Sequence, residues 1–514
     1  MRRIPTTVIP GTAVRRLGVR FLDPTTSLRT KGVAPHPTAY VGDVLLVSGL
    51  EGSAFDARYD VLAEVAKEAG YAVEPVPGDS LLGFARQNDL VEQLNAVGYT
   101  AVQLVGTQRN TPPADAWEIL QSVRTRGARG VGLAHVMTAA GWGDGIGWGD
   151  GIGWGDGIGW GDGIGWGDGI GWGDGIGRGS GGRMPVVWSA PVPTPSTKDG
   201  PVVAVLDTGL GKHPWFDSGV ERHPDGSAGS LGVTFPNGYD PEDHGVTMDP
   251  VNGHLDRLAG HGTFIAGVIR QHCPDARILS VPVMWGDGVA DEDDVVRALT
   301  GLYLRQLLAV RDGDTERALH VVTLSLGYRH ETPGAFDDEE ALFRVLRGLA
   351  SLGVTVVAAA GNNASDLEFF PAAYASHVTE GAPMVSVGAL NPDRRTVSVY
   401  SNTGPWVRTY FAATSVVSTM PTGFNASRRG EMLQQANPGA LPAVPTRGAV
   451  DTDDYSGGFG LWSGTSFAAP ALAGDIAQGL AGRGVTGVEE RSEQAKTVVD
   501  TVLESTAKAL EETP

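Results

Sequence analysis

Between residues 141 and 176 the hexapeptide Gly-Trp-Gly-Asp-Gly-Ile recurs six times without change, so glycine holds every odd position from Gly141 to Gly175. No segment of the chain constrains the fold more. In an extended conformation one face of this stretch would be bare glycine and the other would show Trp, Asp and Ile in turn. Glycine loses more backbone entropy on ordering than any other residue, which opposes such order in isolation. The repeat therefore reads as a linker that divides the chain into two folding units. Two other uses of it stay open: a protein partner gripped by the Trp row, and calcium, although the period of six does not match the nonapeptide calcium repeats.

The divided chain is 514 residues long, more than one hydrophobic core usually spans. Residues 1–38 are polar and Pro-rich and read as an extended arm. From 39 to 140 short apolar runs alternate with helical periods: strands at 44–47, 71–74, 100–105 and 130–135, and helices at 59–69, 81–97 and 113–126. That pattern predicts a small α/β or α+β domain. Residues 177–200 continue the linker, 201–482 form the large domain, and 483–514 form a C-terminal helical segment with Val498, Val499, Val502, Leu503 and Leu510 on one stripe.

The net charge of −20 lies mainly in the back half, which argues against nucleic acid and anionic membrane surfaces as partners. No stretch reaches about 18 apolar residues, so no membrane span is expected. The basic start is followed by no apolar run of signal-peptide type, and the expected location is the cytoplasm. Cys273 is the only cysteine, which rules out an intramolecular disulfide and any cysteine-based metal cluster.

Four short stretches of the large domain carry chemistry. Val202–Leu206 is a continuous apolar run, as in a buried parallel strand, and it ends at Asp207-Thr208-Gly209. Open α/β sheets place their ligands at such strand ends. His261-Gly262-Thr263 begins a helical period 54 residues on. Ser466 falls at the start of a third element, Gly464-Thr465-Ser466-Phe467-Ala468-Ala469-Pro470, where free backbone N–H groups can meet a developing anion. Between them, the strand 354–359 runs into Ala360-Gly361-Asn362, whose amide could donate to the same anion. Each piece alone has an ordinary structural use: a turn carboxylate, an N-cap serine, a turn asparagine.

Together, in the order Asp, His, Asn, Ser, they resemble the subtilisin-like family, on Val205–Gly209, His261–Thr263, Ser325-Leu326-Gly327, Ala359–Asn362 and Gly464–Pro470. The chain order Asp-His-Ser differs from that of chymotrypsin-type and α/β-hydrolase enzymes. The resemblance implies a mostly parallel seven-stranded sheet with helices on both faces, and a serine endopeptidase acting on polypeptides through an acyl-enzyme. Ser466 would be the nucleophile, His261 the base and Asp207 its orienting carboxylate. Asn362 would serve the oxyanion hole. Substrate would add as a strand beside Ser325, Leu326 and Gly327, and Ala359, Ala360 and Gly361 would line the pocket for the residue before the cut. No cofactor is required for the chemistry, and structural calcium is an open expectation.

The alternative expectation is a binding scaffold of the same shape that presents the repeat, with catalysis secondary or self-directed. Phe467 replaces the family's usual Met. The 104 residues between Asn362 and Ser466 imply an inserted loop near 421–456. The acidic runs at 291–294 and 451–454 read as solvated surface. The domain at 39–140 lies where relatives carry an inhibitory propeptide, against the alternative of an independent recognition domain.

Overall fold

The computed structural model describes residues 9–28, 35–76, 81–140, 183–222, 225–226, 229–251, 253–426, 451–483 and 487–512. The hexapeptide repeat and most of the inserted loop lie outside these residues. In chain order the N-terminal part contains α1 (Gly11–Leu17), β1 (Val19–Leu22), β2 (Thr38–Ser48), α2 (Ser53–Glu68), β3 (Tyr71–Pro75), α3 (Leu81–Gln87), α4 (Val91–Val97), β4 (Tyr99–Gly106), α5 (Ala116–Thr125) and β5 (Val131–Ala139). The large domain follows with β6 (Met184–Pro185), β7 (Val202–Asp207), β8 (Val220–Arg222), β9 (Asp225–Gly226), β10 (Gly229–Ser230), α6 (His261–His272), β11 (Arg277–Pro282), β12 (Val289–Asp291) and α7 (Glu292–Asp312). It continues through β13 (Leu319–Leu324), β14 (Leu326–Gly327), α8 (Ala341–Ser351), β15 (Thr355–Ala359), β16 (Met384–Leu390), β17 (Thr409–Ala412), β18 (Val416–Thr419), β19 (Phe459–Trp462) and α9 (Thr465–Leu480) to α10 (Val488–Glu512).

The large domain is built on a seven-stranded sheet ordered β17-β16-β15-β13-β7-β11-β8. All its pairings are parallel. Its inner strands are buried from end to end, as β7 (VVAVLD) and β15 (TVVAA) show. This is what continuous Val/Ala runs demand when helices cover both faces. α6 packs on α9 in one layer, and α7 packs on α8 in the other. The fold class is the subtilisin-like α/β fold. No helix among the described residues is long and apolar enough to cross a membrane.

The N-terminal strands pair antiparallel in the order β3-β4-β2-β5, a β-α-β-β-α-β arrangement with α3 and α4 inserted between its two middle strands. Alternation gives each face its own core. Leu45, Val47, Val102, Leu104, Val131 and Leu133 pack on α2 and α5 around Trp117, whereas Leu46, Ala101, Ala134 and Val136 join the core of the large domain. The second face is therefore an interdomain face. There Tyr99 donates its hydroxyl to Asp293 Oδ1 at 2.6 Å, and Arg344 donates to the carbonyls of Asn95 and Ala96 at the end of α4.

Three local expectations change. The region 81–97 is two short helices, because Asp89 adopts a left-handed φ of 57° between them. Within the expected arm, α1 and β1 are ordered, and β1 pairs with β2. The strand expected at 130–135 runs on to Ala139, because its second half finds partners in the large domain: β12 and β14.

Candidate active site

Asp207 ends the central strand β7, and its backbone carbonyl accepts the N–H of Val283 at 2.8 Å, so the turn after the strand is fixed. Its Oδ1 lies 2.7 Å from His261 Nδ1. His261 is the first residue of α6. The helix start approaches the Asp207–Gly209 turn so closely that a Cβ at Gly262 would collide with the Gly209 carbonyl, which is why glycine follows the histidine. With Nδ1–H engaged by Asp207, Nε2 is the basic nitrogen of the ring. Nε2 is buried and pairs with no protein atom. Phe467 and Trp462 wall the imidazole at centroid distances of 5.5 and 5.3 Å, so the aromatic residue at 467 fills the space with apolar contact.

Ser466 sits in the first turn of α9, among the amides that lack an intrahelical partner. Its Oγ makes a weak 3.5 Å contact with the Ser325 carbonyl, while Ser325 Oγ donates to the Ser466 carbonyl at 2.9 Å. The Asn362 loop is held by Asn402. The Asn402 amide donates to the Ala360 carbonyl at 2.7 Å, and its Oδ1 accepts from the backbone N–H of Asn363 and Ser365. Gly361 has φ of 95°, in the region that favours glycine, and its N–H donates to Thr465 Oγ1 at 3.0 Å. Asn362 Oδ1 accepts the Thr465 N–H at 2.9 Å. That fixes the amide and leaves Nδ2 buried without a protein partner. Ala359 and Ala360 are fully buried beside it.

The cleft is occupied by the chain itself. At Thr138 the strand β5 pairs with Val289 on one side and Gly327 on the other, so it runs between β12 and β14. Ala139 pairs with Leu326, and the Ala140 N–H donates to the Ser325 carbonyl at 2.7 Å. The Ala140 carbonyl accepts from Thr465 Oγ1 at 3.4 Å, one residue from Ser466. Asp207, His261, Ser466 and Ala140 are all buried in this arrangement. A separate cavity of about 480 Å³, lined by Gly209, Lys212, His213, Arg222 and Asp240 among others, lies beside the Asp207 turn and not over Ser466.

Glu242 sits behind the pair Asp207–His261. It accepts from the Thr208 hydroxyl, from the Gly262 N–H at 3.1 Å and from the Thr263 hydroxyl at 2.6 Å. Burial pushes its carboxyl up to about 7, against the two threonine hydrogen bonds. No sequence pattern marked Glu242 or Asn402, and Thr465 was read only as part of the Ser466 motif. Each lies far in sequence from the residue it serves.

The acidic run at 291–294 is not solvated surface. Asp291 caps α7 by accepting the Asp293 N–H at 3.0 Å, and Glu292 and Asp293 are buried at the domain interface. Burial, with Asp293 and Asp294 adding charge, drives the Asp291 carboxyl well above its ordinary range. The run's register against β5, a pairing far off in sequence, buries what its composition would expose. At 451–454, Asp453 is buried too. Among the described residues, the group with metal-ligand spacing is His330, Glu331 and Glu340, whose donor atoms lie within 4.8 Å of one another. Arg124 reaches Glu331 at 2.8 Å and Glu340 at 3.3 Å there, so a guanidinium already supplies positive charge.

The subtilase family model matches residues 198–513, and the chain belongs to the subtilase family. Relatives include the thermophilic serine proteinase of Bacillus sp. (strain AK1), 29% identical over 254 residues, which are 48% of this chain and 52% of the relative. Subtilisin BL of Lederbergia lenta is 27% identical over 237 residues, 46% of this chain and 72% of that protein. The chain thus spans about half the length of the first of these relatives. Among solved structures, fervidolysin from Fervidobacterium pennivorans, a keratinolytic enzyme related to subtilisin, aligns with 88% of this chain and 56% of its own at 14% identity and a TM-score of 0.45.

Proposed function

We propose that the chain is a serine endopeptidase whose first substrate is its own peptide bond between Ala140 and Gly141. The observation that carries this reading is the placement of Ala140. Its N–H and carbonyl are held by Ser325 and Thr465, beside a serine at a helix start, an Asp-bound imidazole with a free nitrogen and an unpaired asparagine amide.

In this reading Ser466 Oγ leaves the Ser325 carbonyl and attacks the carbonyl carbon of Ala140 as its proton passes to His261 Nε2. Asp207 stabilises the imidazolium that results. The oxyanion is met by Asn362 Nδ2 and the Ser466 N–H. Collapse breaks the C–N bond, and His261 gives its proton to the departing amine of Gly141. Water, deprotonated by the same imidazole, then releases the Ala140 carboxylate and regenerates Ser466. The N-terminal domain is then a product held in the cleft, and other polypeptides follow when it leaves.

Mapping the N-terminus and intact mass of purified wild type and Ser466→Ala tests the reading. Wild type should show a chain beginning at Gly141, and Ser466→Ala should not. A wild-type chain uncut after Ala140, or a cut that survives Ser466→Ala, would overturn it.

A further inference from the structure

Five residues before Ala140 on β5, His135 enters a buried ionic cluster. Its ring lies on Tyr328 with centroids 4.1 Å apart and planes 22° from parallel. Nδ1 lies 2.6 Å from Glu292 Oε2, which also accepts the His135 backbone N–H at 2.9 Å. Nε2 lies 2.9 Å from Glu331 Oε2. Behind it, Arg124 joins Glu331 and Glu340, and His330 Nε2 lies 2.9 Å from Glu340 Oε2.

The charges are divided between the two domains. Glu292, Glu331, Glu340 and His330 belong to the large domain, whereas His135 and Arg124 arrive with the N-terminal domain. When that domain leaves, three carboxylates face one imidazole. A substrate strand that replaces β5 keeps the backbone contact to Glu292, but it restores the charge balance only if it carries a cation where His135 was.

Resting on the peptidase reading above, we propose that Glu292, Glu331 and Glu340, with Tyr328 as an aromatic floor, form a subsite for a basic side chain five residues before the residue that supplies the scissile carbonyl. Arginine suits it best. Its plane stacks on an aromatic ring and its fork matches a carboxylate. Its greater length also reaches the space that Arg124 fills here. Lysine and histidine offer the charge without the fork.

The test uses the full chain after self-cutting and dissociation of the N-terminal domain, with internally quenched peptides that copy Gly132–Ala140 followed by Gly, with His135 kept or replaced by Arg, Lys, Gln or Glu. We expect kcat/KM to be about tenfold or more higher for Arg than for Gln, with Glu lowest, since one unmatched partner of a desolvated charge pair is costly. Glu331→Gln should collapse that ranking. Because the peptide series needs no altered enzyme, it decides the matter even if Glu331→Gln misfolds. Ser466-dependent cleavage at equal rates across the series overturns the subsite alone. No Ser466-dependent cleavage of any peptide overturns the peptidase reading and the subsite with it.

Discussion

Glu242 offers a quantitative test of the architecture behind the Asp207–His261 pair. It is 2% exposed, and burial lifts its carboxyl from 4.5 to about 7. A group raised on folding contributes stability that is complete below the unfolded value and lost as pH rises through the folded one. At about 1.4 kcal/mol for each tenfold in proton affinity, the charge on Glu242 costs about 1 kcal/mol at about pH 5 and about 3 kcal/mol above about pH 8. Glu242→Gln removes the charge. Its carbonyl oxygen can still accept from Thr208 and Gly262, while its amide must face the Thr263 hydroxyl, which already accepts the Gly211 N–H at 2.7 Å. That mismatch costs about 1 kcal/mol at any pH. The variant should therefore match wild type near about pH 5 and exceed it increasingly as pH rises, by about 2 kcal/mol above about pH 8. Urea unfolding in the Ser466→Ala background, at pH values from about 5 to about 8.5, reads this directly. Parallel curves for the two proteins would refute the assignment of a strained, buried acid at this position.

Two further outcomes follow from the same geometry. If Asn362 serves the oxyanion as proposed, Asn362→Ala should lower kcat by about 10²–10³-fold with a smaller change in KM, measured on any peptide the cut chain cleaves. Docking of the cut N-terminal domain should weaken in alkali. Although burial opposes its charge, Glu292 and Glu331 hold the His135 imidazole up to about 10, so its contribution is complete below about pH 6.5 and lost as pH rises through 10. Gel filtration of the cut chain should show the domain retained at about pH 7 and released near pH 10. Retention that does not change over this range would contradict the ion-pair account.

Two inner strands of the parallel sheet were legible because continuous apolar runs are local signals, whereas the seven-stranded sheet and its layers came only with the family resemblance. Val202–Leu206 and the strand before Ala360 needed only a few neighbouring residues to be read. The four motifs were legible for the same reason, and the structure brings Asp207 to His261 and Asn362 to the helix of Ser466. What stayed hidden was non-local. The second half of β5, Val136–Ala139, is a strand because β12 and β14, over 150 residues on, flank it. Glu292 lay in a run that reads as solvated surface, and nothing near Glu292, Glu331 or Glu340 in sequence announces Arg124 or His135. The two ordered elements of the N-terminal arm depend likewise on β2 and on Asp287, which Arg16 grips at 2.8 Å.

The central claim is that Ser466 is an activated nucleophile. It is tested most directly by reacting the full chain and its Ser466→Ala variant with a fluorophosphonate probe and locating the adduct by mass spectrometry. The account predicts an adduct on Ser466 in the cut wild-type chain once the N-terminal domain has dissociated, and none in the variant. A cut chain freed of that domain that stays unlabelled, or labelling that persists in Ser466→Ala, would contradict it.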